Sequence, residues 1–313
     1  MSATASAPGK IILFGEHAVV YGRPAIAVPV LQVASRVTVE EAESGVHVVS
    51  SRGSRTLLPG DLNGDDPIAA VLRHTLSAIQ YPGFPNITIT IDSTIPVAGG
   101  LGSGAAVSTA VARAMALHLG RTLDAATVSA LVYEVEKIHH GTPSGIDNTV
   151  IAFGRPVYFM RGRPIEMLIV PRPFTLVVAD TGIASLTKIA VGDVRRSWEA
   201  GRERFEALFD RCGDVARRAR ALIEGGRPEM LGPLMNENHA ALREMGVSCA
   251  ELDTLVGAAI TGGALGAKLS GGGRGGNMIA LVKSGTEAAM AEALLRAGAK
   301  RTIVTEVGGS FQV

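Results

Sequence analysis

A chain of 313 residues, 47% hydrophobic and 19% charged, is long enough for one large or two ordinary domains and apolar enough for a sizeable core, which excludes extended disorder. Its formal net charge is only +1, with acids and bases interspersed, so it lacks the basic stripe that nucleic acid or an anionic membrane surface requires. Cys212 and Cys249 are too few for a disulfide framework and show no metal-site spacing; reduced thiols in a cytoplasmic protein are expected, with no secretory leader.

In chain order, Ala7 to Gly22 comes first, with a short apolar strand at Ile11 to Phe14. Lys10 lies on one side of it and Glu16 and His17 on the other, punctuated by Gly9, Gly15 and Gly22. Polar groups crowded around a buried strand point to a site, although two solvated loops would look the same. Alternating runs at Ala25 to Leu31 and Val33 to Val39 predict strands, and Glu43-Ser44-Gly45 predicts a hairpin into a strand at Val46 to Val49. A polar loop over Gly60 to Asp66 precedes a helix at Pro67 to Ile79, with proline in its first turn.

Ile87 to Ile91 is a β-branched strand, and Ala105 to Leu119 an alanine-rich helix that stops at Gly120. Between them runs Pro96-Val97-Ala98-Gly99-Gly100-Leu101-Gly102-Ser103-Gly104. A strand, a glycine-rich loop and a helix N-terminus together present inward-turned N–H groups and partial positive charge, an assembly suited to phosphate. The loop matches neither the Walker A nor the Rossmann pattern, and a flexible turn is the bland alternative. Ser93 to Ala112 has no charge over 20 residues, but its glycines, proline and hydroxyls make it a poor membrane span.

The next helix runs from Leu123 to His140, with Val128, Leu131, Val132, Val135 and Ile138 on its core face and Glu136 at the edge of that face. Thr142-Pro143-Ser144-Gly145-Ile146-Asp147-Asn148 follows, where Asp147 is either a fixed functional carboxylate or, with Ser144, a helix cap. Strands at Pro156 to Met160 and Glu166 to Val170 close the first half, and Pro171-Arg172-Pro173 marks a domain junction, dividing the chain into 1–172 and 173–313. The second half reads as a strand at Phe174 to Ala179, a long helical pattern over Thr187 to Glu224 with a kink, and helices at Arg227 to Met245 and Cys249 to Thr261. Strands at Ala264 to Leu269 and Met278 to Val282, a helix at Thr286 to Ala297 and a strand at Thr302 to Val307 complete it. That order is α+β, and Ser270-Gly271-Gly272-Gly273-Arg274-Gly275-Gly276-Asn277 is a second glycine-rich loop.

Pro8-Gly9-Lys10, Gly100-Leu101-Gly102-Ser103 and Gly271 to Gly276, in that order and spacing, resemble the motifs of the GHMP kinases, named for galactokinase, homoserine kinase, mevalonate kinase and phosphomevalonate kinase. Within the family, the stretches Ala7 to Gly22 and His140 to Asn148 look most like the branch that acts on mevalonate. The resemblance implies a two-domain α+β fold, a ribosomal protein S5 domain 2-like half followed by a ferredoxin-like half, with the site in the cleft between them. It implies transfer of the γ-phosphoryl of ATP to the 5-hydroxyl of mevalonate with Mg²⁺. Asp147 would take the hydroxyl proton and Lys10 would stabilise transition-state charge.

Pro96, Ala98, Gly99, Gly100, Leu101, Gly102, Ser103 and Gly104 would wrap the phosphates. Glu136 and Ser103 would hold the metal, and Glu16, His17, Thr181 and Gly272 would line the acceptor pocket, with His17 on the substrate carboxylate. A homodimer is the implied assembly. Two positions depart from the family. Gly104 stands where a second metal-binding serine is usual, and Arg274 replaces a small residue; it could contact a phosphate, pin the first motif or face solvent. Phosphomevalonate kinase, and a non-catalytic nucleotide or metabolite sensor, are the alternatives.

Overall fold

The computed structural model describes residues 2–96, 99–140, 143–185 and 187–308. Ala98 and Thr142 therefore lie outside the described residues. The first half contains β1 (Ala3–Phe14), β2 (Ala25–Glu41), β3 (Val46–Ser50), β4 (Gly53–Leu57), α1 (Pro67–Ala78) and β5 (Ile87–Ser93). It continues with α2 (Ser103–His118), α3 (Ala125–His140), α4 (Ile146–Phe153), β6 (Val157–Phe159) and β7 (Glu166–Met167). Its sheet has the order β4-β3-β5-β2-β6-β7, and β1 runs along the other side of β2. The two runs expected at Ala25 to Leu31 and Val33 to Val39 are one strand of 17 residues, β2. Both of its halves pair with β1, and an irregularity between Pro8 and Gly9 absorbs the break in register.

The expected hairpin at Glu43-Ser44-Gly45 is not formed. β5 lies between β2 and β3, antiparallel to the first and parallel to the second. Asn86, just before β5, captures the turn: its side chain accepts from the Gly45 N–H at 2.8 Å and its carbonyl from the Ala42 N–H at 3.1 Å. β3 instead turns forward onto β4. The β4 sequence Gly-Ser-Arg-Thr-Leu is too polar to show a strand pattern.

The helix α2 explains its own composition. Ala105, Ala106, Ala110, Ala112, Ala114 and Ala116 are all buried, so small side chains let the helix pack on several sides at once.

The second half contains β8 (Phe174–Asp180), α5 (Thr187–Ala200), α6 (Arg202–Glu224), α7 (Leu231–Glu244), α8 (Ala250–Thr261), β9 (Gly266–Ser270), β10 (Asn277–Val282), α9 (Glu287–Arg296) and β11 (Arg301–Val307). The expected kink is a break at Gly201 between α5 and α6. The sheet order β11-β8-β10-β9 places the four strands as 4-1-3-2, antiparallel throughout, which is the ferredoxin-like arrangement. Sheet membership changes between Met167 and Phe174, around the proline pair.

The halves share a core. Val215, Ala216 and Ile223 of α6 and Leu234 and Met235 of α7 pack with the first sheet. In the other direction, Ala18 belongs to the core of the second half. Among the described residues no helix is long and apolar enough to cross a membrane.

α7 lies close on β9 because Gly232 has no side chain. A Cβ there would fall 1.9 Å from the Leu265 carbonyl oxygen, a clash with backbone that no rotamer change relieves. We expect Gly232→Ala to destabilise the protein by at least about 3 kcal/mol, read as a large drop in the thermal midpoint or as loss of soluble protein.

Candidate active site

The glycine loop sits directly on Lys10. The Lys10 N–H donates to the Leu101 carbonyl at 3.0 Å. Leu101 anchors the loop in the core at 1% exposure. Gly102 starts α2 with a φ of 73°, and a Cβ on it would lie 2.8 Å from Ile151 Cδ1 and 3.0 Å from Lys10 Cγ. Only glycine allows the loop, the lysine stem and α4 to approach this closely. Pro96 and Gly99 are buried, Gly100 and Ser103 half-buried, and Gly104 is exposed at the first turn of α2. The N–H groups of that turn have no intrahelical partner, an arrangement suited to an anion.

Lys10 Nζ lies 2.9 Å from Asp147 Oδ1; the lysine side chain is 5% exposed and the carboxylate side chain 32%. Asp147 is in the first turn of α4, whose cap is Gly145 in the left-handed region with no side-chain capping bond. The capping alternative for Asp147 is therefore excluded. Its carboxylate is turned to a buried cation on β1 of the same half, in a helix turn that favours negative charge.

Glu136 of α3 is buried, and its carboxyl is pushed up to about 7, first by burial and then by the charge of Asp147, with Lys10 opposing. A Cβ on Gly104 would fall 3.3 Å from Glu136 Oε1, so the missing side chain of Gly104 leaves space in front of that carboxylate. A cavity of about 550 Å³ begins at Ser103, Gly104 and Glu136 and reaches Ile68, Ile91 and the β3–β4 turn at Arg52. Nothing in the residue spacing announced the Ile68, Ile91 and Arg52 walls, because they come from three separate elements.

Two of the residues expected on the acceptor side, Glu16 and His17, lie on the elbow after β1. His17 has a φ of 59°, a strained value for a residue with a side chain. Its Nε2 lies 3.1 Å from the Gly272 carbonyl oxygen. A carbonyl only accepts, so Nε2 carries the proton and Nδ1 of the neutral ring is left as an acceptor. Burial pushes the imidazole down to about 4, the bond to Gly272 opposes this, and the Arg274 charge adds to it. A neutral ring whose N–H is already used gives no positive charge to a substrate carboxylate, contrary to the role expected for His17. Glu16, also expected to line the pocket, is fully buried and ion-paired with the equally buried Lys268, so it offers a ligand no surface.

Thr181 and Gly272 both lie where the segment after β8 meets the second glycine loop. Thr181 Oγ1 donates to the Gly276 carbonyl at 2.9 Å, and Ser185 Oγ donates to the Gly273 carbonyl at 2.9 Å. Gly272 is buried under Ser185 and Thr187.

Arg274 takes a φ of 56°. Its guanidinium pairs with Asp193 of α5 and donates to the Gly246 carbonyl at 3.3 Å. It thus ties the loop to two helical segments of its own domain. The second glycine loop is joined to the first by Asn277, whose side-chain N–H donates to the Gly99 carbonyl. Asn277, Lys268 and Asn238 carry no motif of their own. The one available signal was a lysine inside the apolar strand Gly266 to Ser270. Among the described residues no group of three or more His, Cys, Asp and Glu could hold a metal.

Two antiparallel-rich halves, with glycine loops joined at Gly99 and the first loop seated on a lysine–carboxylate pair, form a site suited to phosphoryl transfer to a small molecule. The sequence matches the family model for the GHMP kinases N terminal domain over residues 67–155 and that for the GHMP kinases C terminal over 219–300. The chain belongs to the GHMP kinases. It is 36% identical to a mevalonate kinase of Thermococcus gammatolerans, over 98% of this chain and 96% of that one. It is 37% identical to a mevalonate kinase of Pyrococcus horikoshii, over 94% and 92%. Among solved structures it is similar to L. major mevalonate kinase in complex with R-mevalonate, with a TM-score of 0.81, 29% identity and coverage of 99% of this chain and 97% of that one.

The low value at His17 has a measurable consequence. Between pH 6.5 and about 4 the unfolded chain takes up a proton at this ring and the folded chain does not. The stability contributed by the neutral ring is thus complete above pH 6.5 and is lost as pH falls through that window, by about 3 kcal/mol at most. We expect the thermal midpoint to drop across this range, and His17→Gln to flatten the drop; an unchanged pH dependence in that variant would contradict the assignment.

Proposed function

We propose that the cleft phosphorylates the 5-hydroxyl of mevalonate at the expense of ATP, giving 5-phosphomevalonate and ADP. The observation that carries the reading is the 2.9 Å pair of Lys10 and Asp147 beneath the glycine loop. Phosphoryl transfer needs positioning and charge neutralisation more than covalent chemistry. The loop from Gly99 to Gly104 and the first turn of α2 cradle the phosphates. The acceptor hydroxyl gives its proton to Asp147 as its oxygen attacks the terminal phosphorus. Lys10, held at the same point, neutralises charge growing on the transferred group. The mevalonate relatives decide the acceptor, because the chemistry at Lys10 and Asp147 would serve any alcohol.

Mg²⁺ fits this donor set. Glu136 and Ser103 present hard oxygens beside the phosphate loop, and Glu136, raised toward 7 by burial and by Asp147, is a carboxylate that a cation would ionise. Mg²⁺ would supply further neutralisation of the phosphate oxygens. With Gly104 lacking a hydroxyl, more of its coordination falls to the nucleotide and water.

Phosphomevalonate is disfavoured as acceptor, because Arg274, the extra cation such a substrate would use, is engaged by Asp193. A pure sensor has no use for a carboxylate held against a buried lysine. Two reduced thiols support a cytoplasmic setting, and a homodimer, testable by light scattering, is the proposed assembly.

The test is coupled ADP release with Mg-ATP against mevalonate, phosphomevalonate, galactose and homoserine. Turnover on mevalonate is expected, and Asp147→Asn should lower kcat by roughly 10²- to 10⁴-fold while leaving ATP binding within about threefold. Equal turnover by the variant would remove Asp147 from the chemistry, and preference for another acceptor would overturn the substrate assignment.

A further inference from the structure

The chain between β1 and β2 belongs to the first half by sequence but to the second by packing. Ala18 sits in the second core, and Tyr21 stacks on Phe209 of α6 with ring centroids 4.0 Å apart. Arg23 pairs with Glu206 at 2.5 Å and with Asp210 at 2.9 Å. At the head of this inserted elbow are Gly15, with a φ of 90°, and His17, with a φ of 59°. Backbone held in such sparsely populated conformations persists only where the surroundings over-determine it.

The surroundings here are polar and fully enclosed. Glu16 and Lys268 form an ion pair with both side chains at 0% exposure. Lys268 Nζ also donates to the Leu269 carbonyl at 2.6 Å. Asn238 of α7 completes the set: its Nδ2 donates to Glu16 Oε2 at 3.5 Å, and its Oδ1 accepts from the Gly15 N–H at 3.4 Å. β9, which carries Lys268, holds the elbow again on either side. Ser270 Oγ donates to the Ile12 carbonyl at 2.8 Å, and two residues later the Gly272 carbonyl accepts from His17. A buried ion pair is a poor way to gain stability, since an apolar pair of similar volume does as well or better; its use lies in fixing one geometry.

We propose that Lys268 and Glu16 are positioning residues for the acceptor substrate. Their ion pair sets the elbow that presents His17 against Gly272, while the phosphate loop is anchored on Lys10 through Leu101, with a single side-chain bond from Asn277 to Gly99 reaching it from the second glycine loop. Affinity for the acceptor alcohol, and not for ATP, therefore depends on a lysine that touches neither. The inference rests on the phosphotransfer reading of the cleft.

The experiment compares Lys268→Met with the double variant Glu16→Gln/Lys268→Met, which removes both buried charges. Loss of the cation alone strands a carboxylate, so the single variant loses thermal stability; the double variant regains most of it. If the pair positions the elbow, both variants raise the KM for mevalonate by about tenfold or more and leave the KM for ATP within about twofold. Amide hydrogen exchange over residues 15 to 20, measured without substrate, should be faster in both. The proposal is overturned if the double variant regains both stability and the mevalonate KM, if the two KM values rise together, or if exchange at the elbow is unchanged. Should the unaltered protein not turn over mevalonate, the functional reading falls on that control, and the exchange experiment still decides whether the ion pair holds the elbow.

Discussion

Everything in the cleft depends on bringing one ammonium and one carboxylate together where water is scarce. Lys10 is buried in the middle of β1, and a lone charge there would be costly. Asp147 compensates it, but only because α4 begins at the right place, and α4 begins there because Gly145 takes a left-handed turn. The same lysine forms the floor of the phosphate loop, so Gly102 must lack a side chain. Sheet, helix start and loop are thus three answers to one electrostatic requirement. The group that satisfies the buried charge is also the group proposed to take the hydroxyl proton.

The electrostatics of the cleft then divide by neighbour. Glu136 shares a low-dielectric region with Asp147, and like charges so placed cannot both ionise freely, which raises Glu136. His17 is buried and close to a guanidinium, and both favour its neutral form. Glu16 is surrounded by donors from Lys268 and Asn238 and acts behind the site. Three ionisable residues that the sequence offers as site candidates, one for the metal and two for the pocket, therefore have different characters, each set by what packs against it.

That division shows where sequence reading succeeds and where it stops. The strand, glycine loop and helix of α2 were legible from a local pattern, whereas Lys10 and Asp147 stood out only through the family resemblance of their motifs, since locally one also suits a solvated loop and the other a helix cap. Strands and helices of the second half were likewise legible from local patterns. Pairing was not. The turn at Ser44-Gly45 looked like a hairpin, yet its hydrogen bonds go to Asn86, far along the chain. Glu16 looked like a pocket residue because its partner Lys268 is 252 positions away and no local pattern links them. α4 escaped notice because only its first residues carry a motif, and the rest is a short apolar run compatible with either helix or strand.

The elbow that binds the halves together also imposes a timetable. β1 and the glycine loop are made before the segment that grips Glu16 and accepts the His17 N–H, because Lys268 lies 252 positions after Glu16 and Gly272 lies just beyond β9. Until β9 has emerged, the first half lacks the contacts that hold its own catalytic edge in shape. The elbow is thus completed only after β9 has been made, later than the glycine loop, and a chain that stops short of β9 cannot hold Glu16 and His17 where the finished protein holds them.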